Sequence, residues 1–330
     1  YLFLFRTHVK LGNRHKLSVG TEYIVDVLKS QTDNIAKEDA YTLALFAQDE
    51  IKLLRNLQAL IGVRYIYHEN FKNHATPNVA LMYKPGKFNF RASYAAGFRT
   101  PTLSELYATD IAKKNDRLTI GNLDLKPEKN NYFSLSAEYV HERFSVSVNA
   151  FYNNIRDMID YNTIATGDKA MEQYGHKEVR QRDNIAEAKV HGINVSANAY
   201  LGAGFNLSGG YTHLNTQDVE LEQPIDKSIK NAYNINAQWA HSWKIYRLNI
   251  NLNGRINSKR FSKSYGYAPE YQLWDLNTRH SFNLKSVIIE PGFGMENLFD
   301  YMDDRPYNSN YATLTPGRSF YISLSLKFKS

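Results

Sequence analysis

The chain has no cysteine among its 330 residues. Disulfide frameworks, thiolate zinc sites and cysteine nucleophiles are therefore excluded. It also lacks any apolar run near the roughly 18 residues that a membrane-spanning helix requires, and its mean hydropathy is −0.50. These absences exclude a helical membrane protein. They leave a membrane β-barrel open, because the alternating strands of a barrel have the average hydropathy of a soluble protein.

The basic residues of the chain are not clustered into a stripe that could bind nucleic acid. Forty basic and 33 acidic residues give a net charge of +7, and the two signs are interspersed. We therefore expect no nucleic-acid partner. The sequence opens with YLFLFRTHVK, without a Met, a basic segment or a small-residue cleavage site, so we do not expect it to be the start of a precursor. Either a signal peptide has been removed or the chain is a fragment.

The chain is rich in a two-residue alternation of apolar and polar side chains. Its terminal stretch SFYISLSLKFKS places five apolar residues on one face of an extended strand: Phe320, Ile322, Leu324, Leu326 and Phe328. Segments 144–153 and 246–256 repeat the pattern. A tilted strand that crosses a bilayer needs about 9–11 residues, whereas strands of soluble sheets average about 5–6. The length of these runs favours membrane-spanning strands.

About 15 such strands are predicted, and no long helix. They lie near 1–10, 15–29, 40–52, 57–69, 78–84, 87–97, 130–140, 143–155, 186–200, 204–216, 230–241, 245–257, 270–283, 287–296 and 318–328. Tight turns alternate with long polar loops at 98–129, 156–185, 217–229, 258–269 and 297–317. This asymmetry is typical of an outer-membrane barrel. The sequence therefore predicts an all-β protein, a transmembrane antiparallel β-barrel, with residues 1–330 in a single domain.

The polar face of the predicted strands is rich in Asn, Ser and Arg. Arg64, Arg91 and Arg255 fall on this face, whereas the apolar face has almost no charge at mid-strand, where lipid would penalise it. A wet or plugged lumen is therefore expected. An odd strand number is unusual for a closed bacterial barrel, so either the count is off by one or an upstream part is missing.

Four stretches together resemble the C-terminal half of a TonB-dependent outer-membrane receptor. They are ASYAAGFRTPTLSELY (92–107), GNLDLKPEKNNYFSLSAEY (121–139), DNIAEAKVHGINVSANAYL (183–201) and MENLFD with TPGRSFYISLSLKF (295–328). The first two are similar to the paired loop boxes of that family, carried here by Phe98, Arg99, Pro101, Asn122 and Leu123. The sequence departs from the family in three places: Thr100 replaces Ala, GNLDL replaces Asn-Pro-Asn-Leu, and two residues follow Phe328.

The resemblance implies a fold and a set of partners. Receptors of this family are barrels of about 22 strands with a plugged lumen, so the chain would carry about 15 of them and no N-terminal plug. The implied location is the bacterial outer membrane, in contact with outer-membrane lipid. The implied partners are the TonB complex through the missing N-terminal part, the barrel assembly machinery through the terminal strand, and in some cases a surface lipoprotein. No intrinsic cofactor is implied, since the iron chelate, haem or cobalamin is transported.

The loop 98–129 is the leading candidate for a ligand site. Thr102 and Glu105 have capping-box spacing, so a short helix is predicted to begin just after Pro101. Arg99 and Tyr107 are the candidates for ligand contact, because an Arg fork recognises carboxylate, catecholate-like or phosphate oxygens. The alternative, which stays open, is that the helix only braces the loop.

Other loop residues give weaker signals. An aromatic mouth for a planar ligand, or equally loop packing, is indicated by six tyrosines: Tyr161, Tyr265, Tyr267, Tyr301, Tyr307 and Tyr311. Haem receptors of the family usually carry a histidine between the two loop boxes, and residues 102–121 contain none. His68 and His74 share another predicted outer loop and are weak metal candidates, because histidines in a loop are usually solvated.

No catalytic motif is complete, so we do not expect an enzyme. HENFK and HERFS lack the second histidine of a zinc-protease helix, and GAGFNL and GFGMEN lack the third glycine of a nucleotide-binding motif. The predicted function is TonB-dependent transport of a scarce ligand, with a ferric siderophore ahead of haem and cobalamin. The alternatives are a passive porin of about 16 strands and a soluble extracellular β-protein.

Overall fold

The computed structural model describes residues 1–30, 35–113, 116–184, 187–262, 266–303 and 315–329. Within these residues, fifteen long strands form one antiparallel sheet, the wall, in which each strand pairs with the next long strand along the chain. The wall strands are β1 (Leu2–Leu11), β2 (His15–Ser30), β3 (Ile35–Leu54), β4 (Leu57–His68), β5 (Lys72–Tyr83), β6 (Phe88–Arg99), β9 (Glu128–Val140), β10 (Phe144–Arg156), β13 (Ala188–Gly202), β14 (Phe205–Asp218), β15 (Asn231–Trp243), β16 (Tyr246–Asn257), β19 (Tyr271–Asn283), β20 (Val287–Glu296) and β21 (Ser319–Phe328). The other elements lie in the loops: α1 (Leu103–Tyr107), β7 (Thr109–Ala112), β8 (Arg117–Ile120), β11 (Ile159–Thr166), α2 (Gly167–Tyr174), β12 (Glu178–Asn184), β17 (Arg260–Ser262) and β18 (Gly266–Ala268). The predicted all-β fold and strand number are confirmed.

Strand β10 shows why the alternating sequence builds the wall. Val148 lies opposite Ala137 of β9 and Val195 of β13 on one face. On the other face, the Ser147 and Ser196 hydroxyl oxygens are hydrogen-bonded at 2.7 Å. Because successive side chains of a strand point to opposite faces, one face of the wall is apolar and the other can form polar contacts.

The connections differ at the two ends of the wall. At the tight-turn end, connections of two to four residues join successive wall strands: 12–14, 55–56, 84–87, 141–143, 203–204, 244–245 and 284–286. At the opposite end, the loop end, the long connections are 100–127, 157–187, 219–230, 258–270 and 297–318. The loop end also has the short connection 69–71, so the predicted alternation of short and long connections is confirmed from β6 onwards.

Two wall strands begin five or six residues earlier than predicted. β3 starts at Ile35, whereas the sequence pattern indicated 40–52. β5 starts at Lys72, whereas the sequence pattern indicated 78–84. Residues 72–77 of β5 pair with β4, and pairing with β6 begins only at Asn78. Pro77 therefore lies where β5 is paired on one side, which is where a strand tolerates a residue without an N–H. The local sequence NHATPN resembles a turn and concealed this part of the strand.

The terminal strand β21 lies at one edge of the described sheet. Its predicted apolar face is exposed along its whole length: Phe320, Ile322, Leu324, Leu326 and Phe328. On the other face, the Lys327 ammonium lies 2.6 Å from the Glu290 carboxylate, and the Tyr321 hydroxyl donates to Asn277 Oδ1 at 2.6 Å. The two faces therefore segregate as expected, and the barrel-closing role of the strand stays a prediction.

Aromatic rings form two belts at different heights on the wall. Towards the loop end, rings follow one another at centroid distances of 6.0–6.5 Å: Phe3, Tyr23, Tyr41 and Tyr67. At the tight-turn end, neighbouring rings lie 5.1–6.1 Å apart: Trp239, Trp243, Tyr246 and Phe282. Aromatic girdles on both sides of an apolar band are characteristic of transmembrane barrels.

Neither helix in the described ranges has the length and apolar run to span a membrane.

Candidate functional site

The loop after β6 begins with helix α1 and a complete capping box. The Thr102 Oγ1 atom accepts a hydrogen bond from the Glu105 N–H at 3.2 Å, and the Glu105 carboxylate accepts one from the Thr102 N–H at 2.8 Å. These reciprocal bonds satisfy donors that a helix start leaves without partners. The helix predicted from this spacing is confirmed, with Leu103 and Leu106 as its buried residues.

Arg99, at the end of β6, binds two carboxylates. Its Nε and Nη2 atoms donate to Glu128 at 2.8 and 2.5 Å, and Nη1 donates to Glu105 Oε2 at 2.9 Å. One guanidinium thus joins the end of β6 to helix α1 and to the start of β9. We call these three residues the Arg99 clamp. Because all three guanidinium nitrogens are engaged, the geometry favours the bracing role, and ligand contact by Arg99 stays a prediction.

The two glutamates of the Arg99 clamp make further contacts. Burial would raise the pKa of Glu105, but hydrogen bonds from Arg99 and from the Thr102 N–H lower it below its ordinary value. Glu128 Oε1 also accepts a hydrogen bond from the Ile159 N–H at 2.8 Å. Since Ile159 begins β11 in the next long loop, the clamp fastens two loops to the rim of the wall.

An apolar cluster lies beside the clamp. Leu106, Leu125 and Ile159 are buried, and Phe71 and Tyr107 pack against them. These residues come from the turn after β4, the loop after β6 and the loop after β10. Apolar burial therefore joins three separate connections at the loop end. Tyr107 is a packing residue of this cluster, and its contact with a ligand stays a prediction.

The remaining residues of the two loop boxes lie next to helix α1. Pro101 is buried, and the Asn122 N–H donates to the Glu105 carbonyl at 3.0 Å. Asn122 Oδ1 accepts a hydrogen bond from the Asp124 N–H at 2.9 Å, and Leu123 is exposed. The second box thus closes the loop against the helix that the first box starts.

A second sheet connects the two longest loops. Strand β8 of the loop after β6 pairs in parallel with β12 of the loop after β10, in the strand order β11-β12-β8-β7. Leu118, Ala170 and Val179 form a buried core between this loop sheet and α2. Sequence reasoning missed the loop sheet, because its strands are short and polar and because the β8–β12 pairing that completes it joins two different loops. The alternation of Leu118 with Ile120 was the available signal.

Side-chain contacts fasten the loop sheet at both ends. Asn184 Oδ1 accepts from the Lys126 N–H at 2.7 Å, and Asn184 Nδ2 donates to the carbonyls of Lys126 and Asp157 at 2.9 and 2.6 Å. The amide therefore bridges the backbones of both loops. At the far end, His176 Nδ1 lies 2.9 Å from Asp116 Oδ1, and this hydrogen bond lowers the pKa of Asp116 below its ordinary value.

The tyrosines predicted to form an aromatic mouth are spread over separate loops. The Arg182 guanidinium lies over the Tyr161 ring, 3.8 Å from its centroid. Tyr267 and Tyr301 each pack against a neighbouring aromatic ring. The other three lie outside the described residues: Tyr265, Tyr307 and Tyr311. The aromatic mouth stays a prediction.

The inner-face arginines have different surroundings. Arg64 forms an ion pair with Glu22, the Arg91 Nε atom lies 3.4 Å from the Met82 sulfur, and Arg255 is exposed on β16. All three belong to the polar face of the wall. Their contact with a transported ligand stays a prediction.

His68 and His74 do not share a loop, contrary to the prediction. His68 ends β4 and His74 lies within β5, across a turn of residues 69–71. Nδ1 of the buried His68 accepts from the Asn70 N–H at 3.1 Å, and His74 stacks on Phe98 with 3.8 Å between ring centroids. Within the part of the chain that the structure describes, no group of three or more His, Cys, Asp or Glu residues could hold a metal ion.

The wall and its loops define a class of protein. Long antiparallel strands with one apolar face, two aromatic belts, tight turns at one end and braced loops at the other are the features of an outer-membrane β-barrel. The TonB-dependent receptor-like β-barrel family model matches residues 2–298, so the chain belongs to this family. It is a protein of the bacterial outer membrane. The matched model is the barrel part alone, which agrees with a chain of barrel strands without a plug.

Solved structures share the fold. A ferric enterobactin receptor of Pseudomonas aeruginosa matches with a TM-score of 0.79 and 19% identity over 99% of this chain and 53% of that chain. The siderophore receptor PirA of the same organism gives 0.77 and 18% over 100% and 56%. The FrpB iron transporter of Neisseria meningitidis gives 0.69 and 14% over 97% and 54%. The chain spans about half the length of these proteins. The family consists of transport receptors rather than enzymes.

Proposed function

We propose that the chain is the barrel wall of a receptor that takes up a ferric siderophore across the outer membrane with energy from TonB. The observation that carries the proposal is the family match over residues 2–298. The fold is shared with structures named as siderophore receptors, which supports this choice of ligand. The passive-porin alternative has no such support.

The loops at the loop end are ordered in a way that suits ligand capture by such a receptor. The Arg99 clamp, the apolar cluster and the loop sheet hold two long loops as one braced body above the rim of the wall. A surface whose groups are already ordered loses less conformational entropy when a ligand binds. We infer that this body captures the chelate before it enters the lumen.

The transport step makes and breaks no covalent bond in this proposal. The ferric chelate is cargo and not a cofactor. The complete receptor would include a plug and a TonB-contacting segment, and TonB would displace the plug so that the chelate passes along the polar inner face. We also propose contact of β21 with the barrel assembly machinery, an optional surface lipoprotein, and a single domain over residues 1–330, which the continuous sheet supports.

A siderophore is preferred to haem for a chemical reason. Residues 102–121, between the two loop boxes, contain no histidine that could bind haem iron. Cobalamin remains an alternative cargo that the uptake experiment includes.

Uptake of radiolabelled cargo tests the function. A strain without the gene, and the same strain carrying the complete receptor, would be compared for a ferric tris-catecholate, a ferric tris-hydroxamate, haem and cobalamin. We expect the receptor to restore uptake of at least one ferric chelate, and deletion of TonB to abolish that uptake. Unchanged uptake of every cargo would contradict the proposal. High single-channel conductance of the resting receptor would favour the passive pore.

A further inference from the structure

A groove of about 600 Å³ lies on the apolar face of the wall, across β5, β6, β9 and β10. Ala92 of β6 and Ala150 of β10 lie opposite Leu135 of β9, one on each side. Because their methyl side chains are short, the surface is hollowed on both sides of Leu135. Nearer the loop end, a row of rings borders the groove: Tyr94, Phe133 and Tyr152. The lining side chains on this face are aliphatic or aromatic, so the groove suits an acyl chain.

Three basic residues lie beyond the row of rings, nearer the loop end. Arg156 of β10 lies opposite Lys129 of β9. Lys189 of β13 lies opposite Asn154, two positions before Arg156 on β10. All three cations therefore share the face of the groove. Residues directly opposite each other have Cβ atoms about 4.5–5.5 Å apart, and diagonal neighbours about 7–8 Å. We call Lys129, Arg156 and Lys189 the basic cluster, which is compact enough to contact one ligand.

Little negative charge opposes the basic cluster. All residues of β9, β10 and β13 are described, and no position on their apolar face is Asp or Glu. The Glu187 carboxylate lies 4.0 Å from Lys189 Nζ, with the two side chains 32% and 35% exposed. Such a pair contributes little attraction. Lys129 and Arg156 are exposed and form no ion pair with any described residue.

The height of the basic cluster matches the head-group layer of a bilayer. Two residues of a strand rise roughly 7 Å, and the strands of such barrels tilt by about 35–45°. Lys189 lies one such step beyond the row of rings, and Lys129 and Arg156 lie two steps beyond it. They therefore stand roughly 5 and 10 Å above the rings. The polar layer outside the hydrocarbon core is about 5–8 Å thick on each side. Since the long loops of these barrels are extracellular, this layer belongs to the outer leaflet.

Parts of a receptor outside this chain would leave this surface as it is. The strands β5, β6, β9, β10 and β13 are interior strands of the wall, each paired with a wall strand on both sides. Further strands would join the wall at its edges, and a plug would lie on its polar face. The groove and the basic cluster are away from both, so they face lipid in the complete receptor.

We propose that the groove and the basic cluster form a binding site for an outer-leaflet lipid whose head group carries phosphate. An acyl chain lies in the groove, and the phosphate oxygens accept hydrogen bonds from the Arg156 guanidinium and from the ammonium groups of Lys129 and Lys189. A neutral lipid lacks the charge for this site, and free phosphate lacks the acyl chain. The site goes beyond the proposed function, because lipid binding does not depend on the cargo.

Lipid binding is measured by native mass spectrometry of the complete receptor in neutral detergent. The probe is diphosphoryl lipid A, with phosphatidylcholine for comparison, and we expect lipid A to bind more tightly. The cluster variant combines Lys129→Gln, Arg156→Gln and Lys189→Gln. It should bind lipid A at least about 10-fold more weakly than wild type, with phosphatidylcholine binding unchanged.

The matched control removes three positive charges from the same end of the protein. Lys169, Lys177 and Lys227 are exposed residues of the long loops. The triple variant Lys169→Gln, Lys177→Gln and Lys227→Gln should bind lipid A within about twofold of wild type, because its charges lie outside the site.

Two further variants separate the groove from the charge. Ala92→Phe combined with Ala150→Phe fills the groove and keeps the basic cluster, and it should weaken lipid A binding about threefold to 10-fold. Glu187→Gln removes the carboxylate beside Lys189 and should strengthen binding. This last variant tests the site in the opposite direction, so a folding defect cannot imitate the result.

Several outcomes would overturn the site. They are equal affinity for lipid A and phosphatidylcholine, equal loss in the control and cluster variants, and no lipid A binding by wild type. Full affinity in the groove variant would assign the basic cluster to a soluble anion, which inorganic phosphate would then displace. No gain in Glu187→Gln would contradict a phosphate beside Lys189. A receptor dimer that the cluster variant dissociates would identify a second copy of the chain as the occupant instead.

Discussion

The two ends of the wall obtain their order in different ways. At the tight-turn end, connections of two to four residues are positioned by the paired strands that they join. At the loop end, connections are far longer, as in residues 157–187. A long connection must be ordered at a cost in conformational entropy. The Arg99 clamp, the apolar cluster and the loop sheet supply the contacts that offset this cost. Single substitutions at the loop end should therefore loosen loops while the wall stays folded.

The largest effect is expected in the wall itself. Leu135 is 63% exposed near the middle of β9, on the apolar face. Leu135→Arg should lower the free energy of unfolding by about 2–4 kcal/mol, because a guanidinium would face lipid. Ser208→Arg is the control, on the inner face of β14 between Asn198 and Asn236, with an expected change within about 0.5 kcal/mol. Urea unfolding of the complete receptor in lipid vesicles measures both. Equal losses would contradict the assignment of the two faces.

Arg99→Ala should have the next largest effect, and it should be confined to the loop end. The substitution leaves the carboxylates of Glu105 and Glu128, 13% and 17% exposed, without their cation. We expect a loss of about 2 kcal/mol in the local opening free energy of residues 100–127, a modest value because the Arg99 side chain is 41% exposed. Hydrogen exchange measures it, with Arg143→Ala at a tight turn as the control. Loss of protection in the wall strands would show that Arg99 stabilises more than the loops.

Asn184→Ala tests whether the two long loops form one body. It removes three hydrogen bonds that join Asn184 to the backbones of Lys126 and Asp157. The expected loss is about 1–2 kcal/mol of local stability, in both loops together. Asn162→Ala is the control, since Asn162 makes an exposed 3.3 Å hydrogen bond to Asp183 in the same sheet. Hydrogen exchange that rises in the loop of Asn184 alone would show that the loops open independently.

The smallest expected effect is on the pH dependence of proteolysis in the loop 100–127. The pKa of Glu105 is lowered in the folded loop, so its stabilising contribution is complete above the ordinary Glu pKa of about 4.3 and is lost as the pH falls through the lower folded value. Pepsin cleavage within 100–127 should therefore increase as the pH falls below the ordinary Glu pKa of about 4.3. Glu105→Gln should make cleavage less dependent on pH. The same steep dependence in both proteins would assign the transition to another group.

Sequence reasoning located the wall strands to within a few residues, except at the starts of β3 and β5. It also found helix α1, because the Thr102 and Glu105 signal lies within one helical turn. It did not find the loop sheet or the partners of Arg99. The bond from Arg99 to Glu128 spans 29 positions, and the bond from Lys126 to Asn184 spans 58. No local sequence pattern shows which loops will contact each other in the fold.

The alternating sequence of this chain was sufficient to predict its strand lengths, the two faces of its wall and the alternation of its connections. A strand side chain takes its direction from its immediate neighbours, so the pattern can be read locally. The fold decided which loops share a sheet, that the Arg99 guanidinium is held by two carboxylates, and that basic residues of β9, β10 and β13 lie beside one apolar groove. Each of these depends on strand register and on distant segments meeting at one end of the wall, because such contacts form between residues that are close only in the folded chain.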